Sequence, residues 1–414
     1  RLFLGGIALF TLASLACGSA ASEDALVAAR VVQGFGGAVV SAVSLSLMVS
    51  LFTEPAERAK AMGVFGFVAA GGGTLGVLLG GVLTDVLNWH WIFLVNLPIG
   101  VGVCMAAMRV LPAGGEAAAR GRVDVAGALT VTAALMLAVY AIVNGNQAGW
   151  LSAQTLGLLA GAAVLLGAFI ALESRVATPL VPLALFRLRN LATANGVGVL
   201  WAGAMFAWFF LAALYLQLVL GYSPLQVGLA FLPANLIMGA FSLGISAKLV
   251  MRFGIKVPLA AGLVLAAAGL GLFARAPVGG HFIADVLPSM ILLGFGAGIA
   301  FNPVLLAAMG DVEPSESGLA SGVVNTSFMM GGALGLAILA SVAASRTSHL
   351  LAAGHSRVSA LNSGYHTAFL IGAIFALVAA TLAALLLETK STMPAPAHRA
   401  PERGCEPALA DAGI

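Results

Sequence analysis

Residues 30–40 read RVVQGFGGAVV, inside a run from Ala25 to Thr53 whose only charged residue is Arg30. A cation at the centre of a bilayer costs roughly 2.5–3.5 kcal/mol on insertion scales, so a chain that keeps one there either lifts it to the interface or uses it. Arg30 lies about five residues into its run, roughly 7 Å along a helix at 1.5 Å per residue. It can therefore snorkel to the nearer interface, or it can face a polar cavity and hold its charge against a carboxylate or proton relay. Gln33 follows one helical turn later on nearly the same face, so a polar patch is available beside it. Gly34, Gly36 and Gly37 do not make a nucleotide loop, because that fingerprint needs a preceding strand and a following acidic residue in a soluble unit. Within a membrane helix such residues let neighbouring backbones approach closely.

The elements that must position these residues follow from composition. The chain has 414 residues, 61% hydrophobic and 8% charged, with mean hydropathy +1.06, where soluble domains carry about 25% charged residues. It is an all-α polytopic membrane protein. Cys17 and Cys104 lie in apolar runs and Cys405 near the C-terminus, so neither a disulfide framework nor a metal site can be drawn. The net charge of +3 is spread over loops, which sets topology rather than nucleic-acid binding. No cleavable signal peptide stands out.

A spanning helix needs about 20 mostly apolar residues. Breaks divide the sequence into twelve such runs, at 2–21, 25–52, 61–84, 90–110, 124–144, 154–173, 190–217, 226–250, 257–275, 284–309, 317–344 and 365–387. Counted on alternate sides, fifteen Lys and Arg residues fall on one side and only Arg275, Arg346 and Arg357 on the other. The basic side is the cytoplasmic one, so both termini of this chain are expected in the cytoplasm, with the protein in the inner (cytoplasmic) membrane. Residues 389–414, rich in Pro, Ala and charge, read as a disordered cytoplasmic tail.

Internal repetition adds a second layer. QGFGGAVVSAV at 33–43 matches LGFGAGIAFNPV at 293–304, and GGTLG at 72–76 matches GGALG at 331–335, at offsets of 260 and 259. Two matches at nearly the same offset point to a duplicated half, as in transporters built from repeats. In the second copy two spans precede the segment that aligns with residues 2–21, and the first copy has none before Arg1. Equal halves would need about two more helices ahead of Arg1, roughly 60–70 residues at this spacing. The expected organisation is residues 1–110 as part of an N-terminal bundle, 111–184 as an inserted helix pair with flanking cytoplasmic loops, 185–388 as a C-terminal six-helix bundle, and then the tail.

In FVAAGGGTLGVLLGGVLTD, Gly72, Gly76 and Gly80 recur every four residues, as do Gly73 and Gly81 around Val77. That spacing leaves a groove along one face, suited either to static small-residue packing or to sliding of one helix on another. At this point the sequence resembles a known family. LVAARVVQGFGGA resembles the fourth-helix motif of major facilitator superfamily exporters, an arginine followed three residues later by Gln-Gly. GGGTLGVLLGG resembles their fifth-helix antiporter motif, and RLFLGG the trailing end of their basic loop motif. With NWHWIFLVNLPIG, RVATPLVPLALFRLRN and LYLQLVLGYSPLQVGLAFLP, the chain resembles the fourteen-span drug:proton antiporters of the EmrB/QacA type over nearly all its length except the tail.

The resemblance implies proton-driven efflux of amphiphilic drugs or other small organic compounds by alternating access, with no cofactor beyond the proton gradient and no catalytic activity. Arg30 would couple protons with Gln33 beside it, and Gly72, Gly73, Gly76, Gly80 and Gly81 would form the pliable fifth-helix contact between halves. The partners implied are the organic substrate, protons, the lipid bilayer and a periplasmic adaptor protein, with no nucleic acid. Val77 stands where the family usually has proline, which puts the bend of that helix in question. The acidic residue usual in the family's first helix is not in this chain, and Asp24, Asp85 and Asp124 sit near helix ends where water is the default partner.

A cavity for bulky organic substrates is largely apolar with a few polar groups. WAGAMFAWFFLAALYLQ supplies Trp201, Phe206, Trp208, Phe209, Tyr215 and Gln217, and Asn235 and Asn302 add polar contacts in neighbouring spans. The same aromatics also suit interface belts or lipid-facing surfaces. His349, His355 and His366 lie in or beside a polar loop, where solvent exposure is expected. Two rival functions remain at this level: export of one specific metabolite on the same fold, and a non-transporting remnant. No paired intramembrane carboxylates, His cluster or nucleophile supports an enzyme.

Overall fold

The computed structural model describes residues 2–388 apart from 53, 112–123, 177–178, 182 and 313–315. The tail expected at 389–414 therefore lies outside the described residues. The helices are α1 (Leu2–Gly18), α2 (Glu23–Leu51), α3 (Pro55–Val86), α4 (Trp91–Leu94), α5 (Asn96–Val110), α6 (Val125–Ala148), α7 (Ala153–Glu173), α8 (Arg189–Leu218), α9 (Pro224–Ala240), α10 (Ser246–Phe253), α11 (Lys256–Phe273), α12 (Leu287–Met309), α13 (Ser317–Ala352) and α14 (Arg357–Leu386). All twelve apolar runs fall on helical segments. Among the described residues, nine helices are long and apolar enough to cross a membrane, and two shorter apolar ones occur at Leu2–Gly18 and Gly71–Val86.

Local chemistry sets the ends and breaks. Ser22, Asp124, Ser152, Ser223 and Ser356 each cap a helix by accepting a hydrogen bond from a first-turn backbone N–H, the role short polar side chains play there. Gly149, Gly221, Gly254 and Gly354 adopt positive φ in the turns that follow helices, a conformation glycine reaches without a Cβ clash. The run at 90–110 is split at Val95, three residues before Pro98, whose missing N–H removes the hydrogen bond to Leu94. α3 runs unbroken from Pro55 to Val86. Two π segments join longer helices: Phe241–Ile245 between α9 and α10, and Phe282–Val286 ahead of α12.

The largest apolar core belongs to α8–α14, where Trp201, Trp208, Tyr215, Phe231, Phe273 and Phe369 are almost wholly buried. α1 packs on α2 and α5, and α6 pairs with α7 and leans on α13. Two further junctions link α2 and α3 to this core. α3 lies along α9, and α2 touches α13, where Asn325 Nδ2 donates to Ser41 Oγ at 3.4 Å.

The sequence repeat is also a repeat of contacts. On α2, a Cβ added to Gly36 would lie 2.7 Å from Phe10 N and 3.1 Å from Gly6 O of α1. On α12, a Cβ added to Gly296 would lie 2.6 Å from Ala266 N and 2.7 Å from Gly262 O of α11. Gly36 and Gly296 differ by 260, and Phe10/Ala266 and Gly6/Gly262 each differ by 256. The pairs α1/α2 and α11/α12 are one crossing built twice, each held at backbone contact by a glycine.

Candidate functional site

Arg30 lies in the second turn of α2, a helix capped by Ser22 and without another charge after Asp24 until its end. Its Nη1 donates to Gln33 Oε1 at 2.8 Å, the i, i+3 contact expected from the sequence. Its guanidinium carbon stands 5.4 Å from the ring centroid of Phe93 on α4, within cation–π range. Gln33 is only 3% exposed and passes the chain of polar contacts across the helix crossing. Its Nε2 donates to Ser14 Oγ at 2.6 Å, and Ser14 Oγ donates to Phe10 O at 2.9 Å. The buried Cys17 thiol donates weakly to Gln33 Oε1 at 3.8 Å. Both polar atoms of the buried amide thus have partners, which lowers the cost of burying it, while most of the arginine stays on the protein surface. Sequence reasoning missed Ser14, Cys17 and Phe93. The available signal was the three-residue spacing of Ser14 and Cys17 in an otherwise apolar helix.

The glycine stripe of α3 divides. Gly81 meets the other half: a Cβ there would lie 2.5 Å from Pro224 O and 3.1 Å from Leu225 Cα at the start of α9. Gly80 faces Ile92 of α4 at 3.6 Å. Gly72, Gly73 and Gly76 have nothing among the described residues within 4 Å of a built Cβ, so only Gly81 of the five makes close contact between halves. Their repeat counterparts behave differently. Gly331 lies against Val199, and Gly335 crosses Gly203, both on α8, at distances that leave no room for a Cβ.

The residues expected to line a substrate cavity differ in their surroundings. Trp201 and Tyr215 are 1% and 0% exposed within the α8–α14 core, where Tyr215 Oη donates to Pro277 O at 2.9 Å and its ring meets Phe273 edge-on. Phe209 stacks on Phe231, and Trp208 packs against both. Phe206 is 36% exposed and lies over Gly332 near Phe328. Gln217 is exposed and Asn235 buried. Trp201, Trp208 and Tyr215 therefore serve the bundle interior, a role neither the cavity nor the interface-belt expectation described.

Asn302 has a definite task. Its Nδ2 donates to Ser242 O at 2.9 Å inside the π segment, and Ser246 Oγ donates to Ile299 O at 3.1 Å. Gly298 presses on Met238 O and Phe241 beside them, so α12 clamps the stretch where the helix widens. Such bulges free backbone groups that side chains must satisfy.

Two further expectations change. Asp124 is not simply solvated. Its Oδ1 accepts from Gly127 N at 2.9 Å, but its Oδ2 is buried and, with Glu173 Oε1, faces the space over Gly127, 2.5 and 2.7 Å from a Cβ built there. Glu173 is 4% exposed and holds Val181 N through its other oxygen at 3.0 Å. His366 is partly buried and lies 2.7 Å from Ala276 O, which also accepts from Asn362, whereas His349 and His355 are exposed as expected.

Comparison with known proteins decides the family. A family model described as Major Facilitator Superfamily matches residues 1–336. The chain belongs to the major facilitator superfamily. It is 37% identical over 407 residues to the cephamycin export protein CmcT of Amycolatopsis lactamdurans, covering 97% of this chain and 82% of that protein. It is 35% identical over 401 residues to the puromycin resistance protein pur8 of Streptomyces alboniger, covering 94% and 78%. A third relative, the multidrug resistance protein Stp of Mycobacterium tuberculosis, is 37% identical over 344 residues, covering 83% and 63%. The human organic anion transporter MFSD10 has the same fold, with a TM-score of 0.56 at 17% identity over 90% of this chain and 76% of that one. The peptide transporter POT gives 0.53 at 15% over 94% and 81%. The superfamily fold, with its membrane-spanning helices and two related halves, is the architecture in which this chain's polar contacts act.

Proposed function

We propose that this protein exports antibiotics or other small amphiphilic organic compounds across the cytoplasmic membrane, driven by inward proton movement. The observation that carries this reading is the 37% identity to a cephamycin exporter across 97% of the chain. The puromycin resistance relative supports the same class. Both termini of the chain face the cytoplasm in this reading, from the fifteen-to-three distribution of Lys and Arg, which follows the positive-inside rule.

In alternating access two bundles rock about a central site, so protonation must change the relative stability of inward-open and outward-open states. Arg30 is suited to that part. Gln33 and Phe93 orient its guanidinium, and the hydrogen bond to Gln33 takes one of the five N–H donors an arginine has. A carboxylate ionised against this guanidinium and released on protonation would bias the two states by a few kcal/mol. Gly81 against Pro224 is the point where α3 and α9 pivot, since absent side chains let two helices move at backbone contact.

The test is efflux of a fluorescent cationic dye and of labelled β-lactams from inverted vesicles. Efflux should stop when the pH gradient is collapsed, and Arg30→Ala should abolish it while the protein remains in the membrane. Undiminished efflux without a gradient sinks proton coupling. Transport of a single compound across a chemically mixed panel would favour a dedicated metabolite exporter over a drug pump.

A further inference from the structure

Where the inserted pair α6–α7 leans on the C-terminal bundle, at the end away from the basic loops, the structure holds a cavity of about 390 Å³ lined by Trp150, Ser341, Ser345, Arg346, His349 and Thr367. Ser341, Ser345 and His349 recur every four residues and form one face of α13, with Arg346 beside them. Ser341 Oγ donates to Ile142 O at 2.9 Å and fixes α6 to α13 at the inner end of the cavity. Trp150, in the turn between α6 and α7, stands against Gly145, whose built Cβ would lie 3.3 Å from the indole. No acidic residue lines the cavity, and Arg346 forms no salt bridge among the described residues. One to two turns deeper, α6 and α13 expose Tyr140, Val143 and Ile338. A tryptophan, an arginine and hydroxyls above exposed apolar side chains match the chemistry of a headgroup layer above hydrocarbon.

We propose that this cavity seats the phosphate of an anionic membrane phospholipid, whose acyl chains run down the apolar seam between α6 and α13. Arg346 meets the phosphate oxygens through its planar N–H fork. Ser345 and His349 supply further donors from the same helix face. Because Trp150 belongs to the α6–α7 turn and the other lining residues to α13 and α14, a lipid held here ties the inserted pair to the bundle.

The test uses the whole chain in nanodiscs of mixed phosphatidylglycerol and phosphatidylethanolamine, followed by native mass spectrometry of co-purified lipid. Phosphatidylglycerol should be retained over phosphatidylethanolamine, and Arg346→Gln should lower that retention about fivefold, the factor one basic side chain contributes beside an anionic lipid. Arg346→Gln with His349→Asn should lower it further, whereas Arg275→Gln, an exposed arginine at the same end outside the cavity, should leave it unchanged. Equal retention in the parent and Arg346→Gln proteins overturns the proposal, as does an equal loss in Arg275→Gln, which would mean diffuse surface charge. Thermal unfolding separates the sources of phosphate. Stabilisation by phosphatidylglycerol but not by inorganic phosphate supports a lipid site, and equal stabilisation by inorganic phosphate overturns it. Should Arg346→Gln fail to fold, Ser345→Ala and His349→Asn probe the same face singly.

Discussion

The crossings α1/α2 and α11/α12 share a backbone contact but not a filling. Gly36 and Gly296 bring each pair equally close. Applying the offsets of 256 and 260, Ser14, Cys17, Arg30 and Gln33 of the first crossing correspond to Leu270, Phe273, Met290 and Leu293 of the second. These four are at most 1% exposed, in the apolar core. The second crossing shows that this geometry is held by apolar packing alone. The hydrogen-bonded chain from Arg30 through Gln33 to Ser14 is therefore additional to what the crossing needs, and of the two crossings only the first carries it.

The contrast fails first if the glycines are not equivalent. Gly36→Val and Gly296→Val should each destabilise the protein by about 3 kcal/mol, because the new Cβ meets backbone rather than a flexible side chain. Their neighbours should split instead. Gly294→Val drives a Cβ to 2.6 Å from Ala234 O of α9, whereas a Cβ on Gly34 has no described neighbour within 4 Å. Gly34→Val should then stay within about 0.5 kcal/mol of the parent. Thermal unfolding in detergent reads all four, and equal losses at 34 and 294 would mean that the α2 face is packed like that of α12.

A smaller effect is expected where α12 meets the π segment rather than α11, through a polar contact. Asn302→Leu removes the amide that holds Ser242 O in the π segment, leaving that carbonyl less well satisfied. The cost should be about 1–3 kcal/mol, read by thermal unfolding. Hydrogen exchange should quicken at residues 241–246 and not in α1 or α2. Unchanged exchange there would mean that the widened turn is set by Gly298 and Phe241 alone.

Much of this architecture was legible in the sequence, and the parts that were not share a cause. Twelve apolar runs became helices because about 20 apolar residues between charged breaks leave the chain no other way to satisfy its backbone in lipid. The match of Gly36 with Gly296 foretold the repeated crossing, since so close a backbone approach leaves no room for a Cβ. The aromatics of α8 were harder. In a membrane both the interior and the lipid face of a helix are apolar, so composition did not tell that Trp201 and Tyr215 point into the bundle. Gln33 beside Arg30 followed from helical spacing, but Ser14 did not, because the rotation of α1 against α2 decides which polar residues meet. The Asp124 and Glu173 oxygens over Gly127 were hidden for the same reason, being brought together by the pairing of α6 with α7.

The smallest change in stability is expected from the substitution aimed at the proposed coupling site. Arg30→Met with Gln33→Leu gives the first crossing two of the residues that fill the second. Ser14 keeps its bond to Phe10 O, so the weak Cys17 thiol is the buried donor that loses its acceptor, and the exchange of paired polar groups for apolar ones of similar size is often neutral or stabilising. Unfolding should shift by no more than about 1 kcal/mol in either direction, while gradient-driven efflux is lost. Gln33→Leu alone leaves Arg30 without its 2.8 Å partner and should reduce efflux with the arginine still present. Were the double variant to unfold readily, the polar chain would be a structural strut; were it to pump normally, the asymmetry between the two crossings would carry no function.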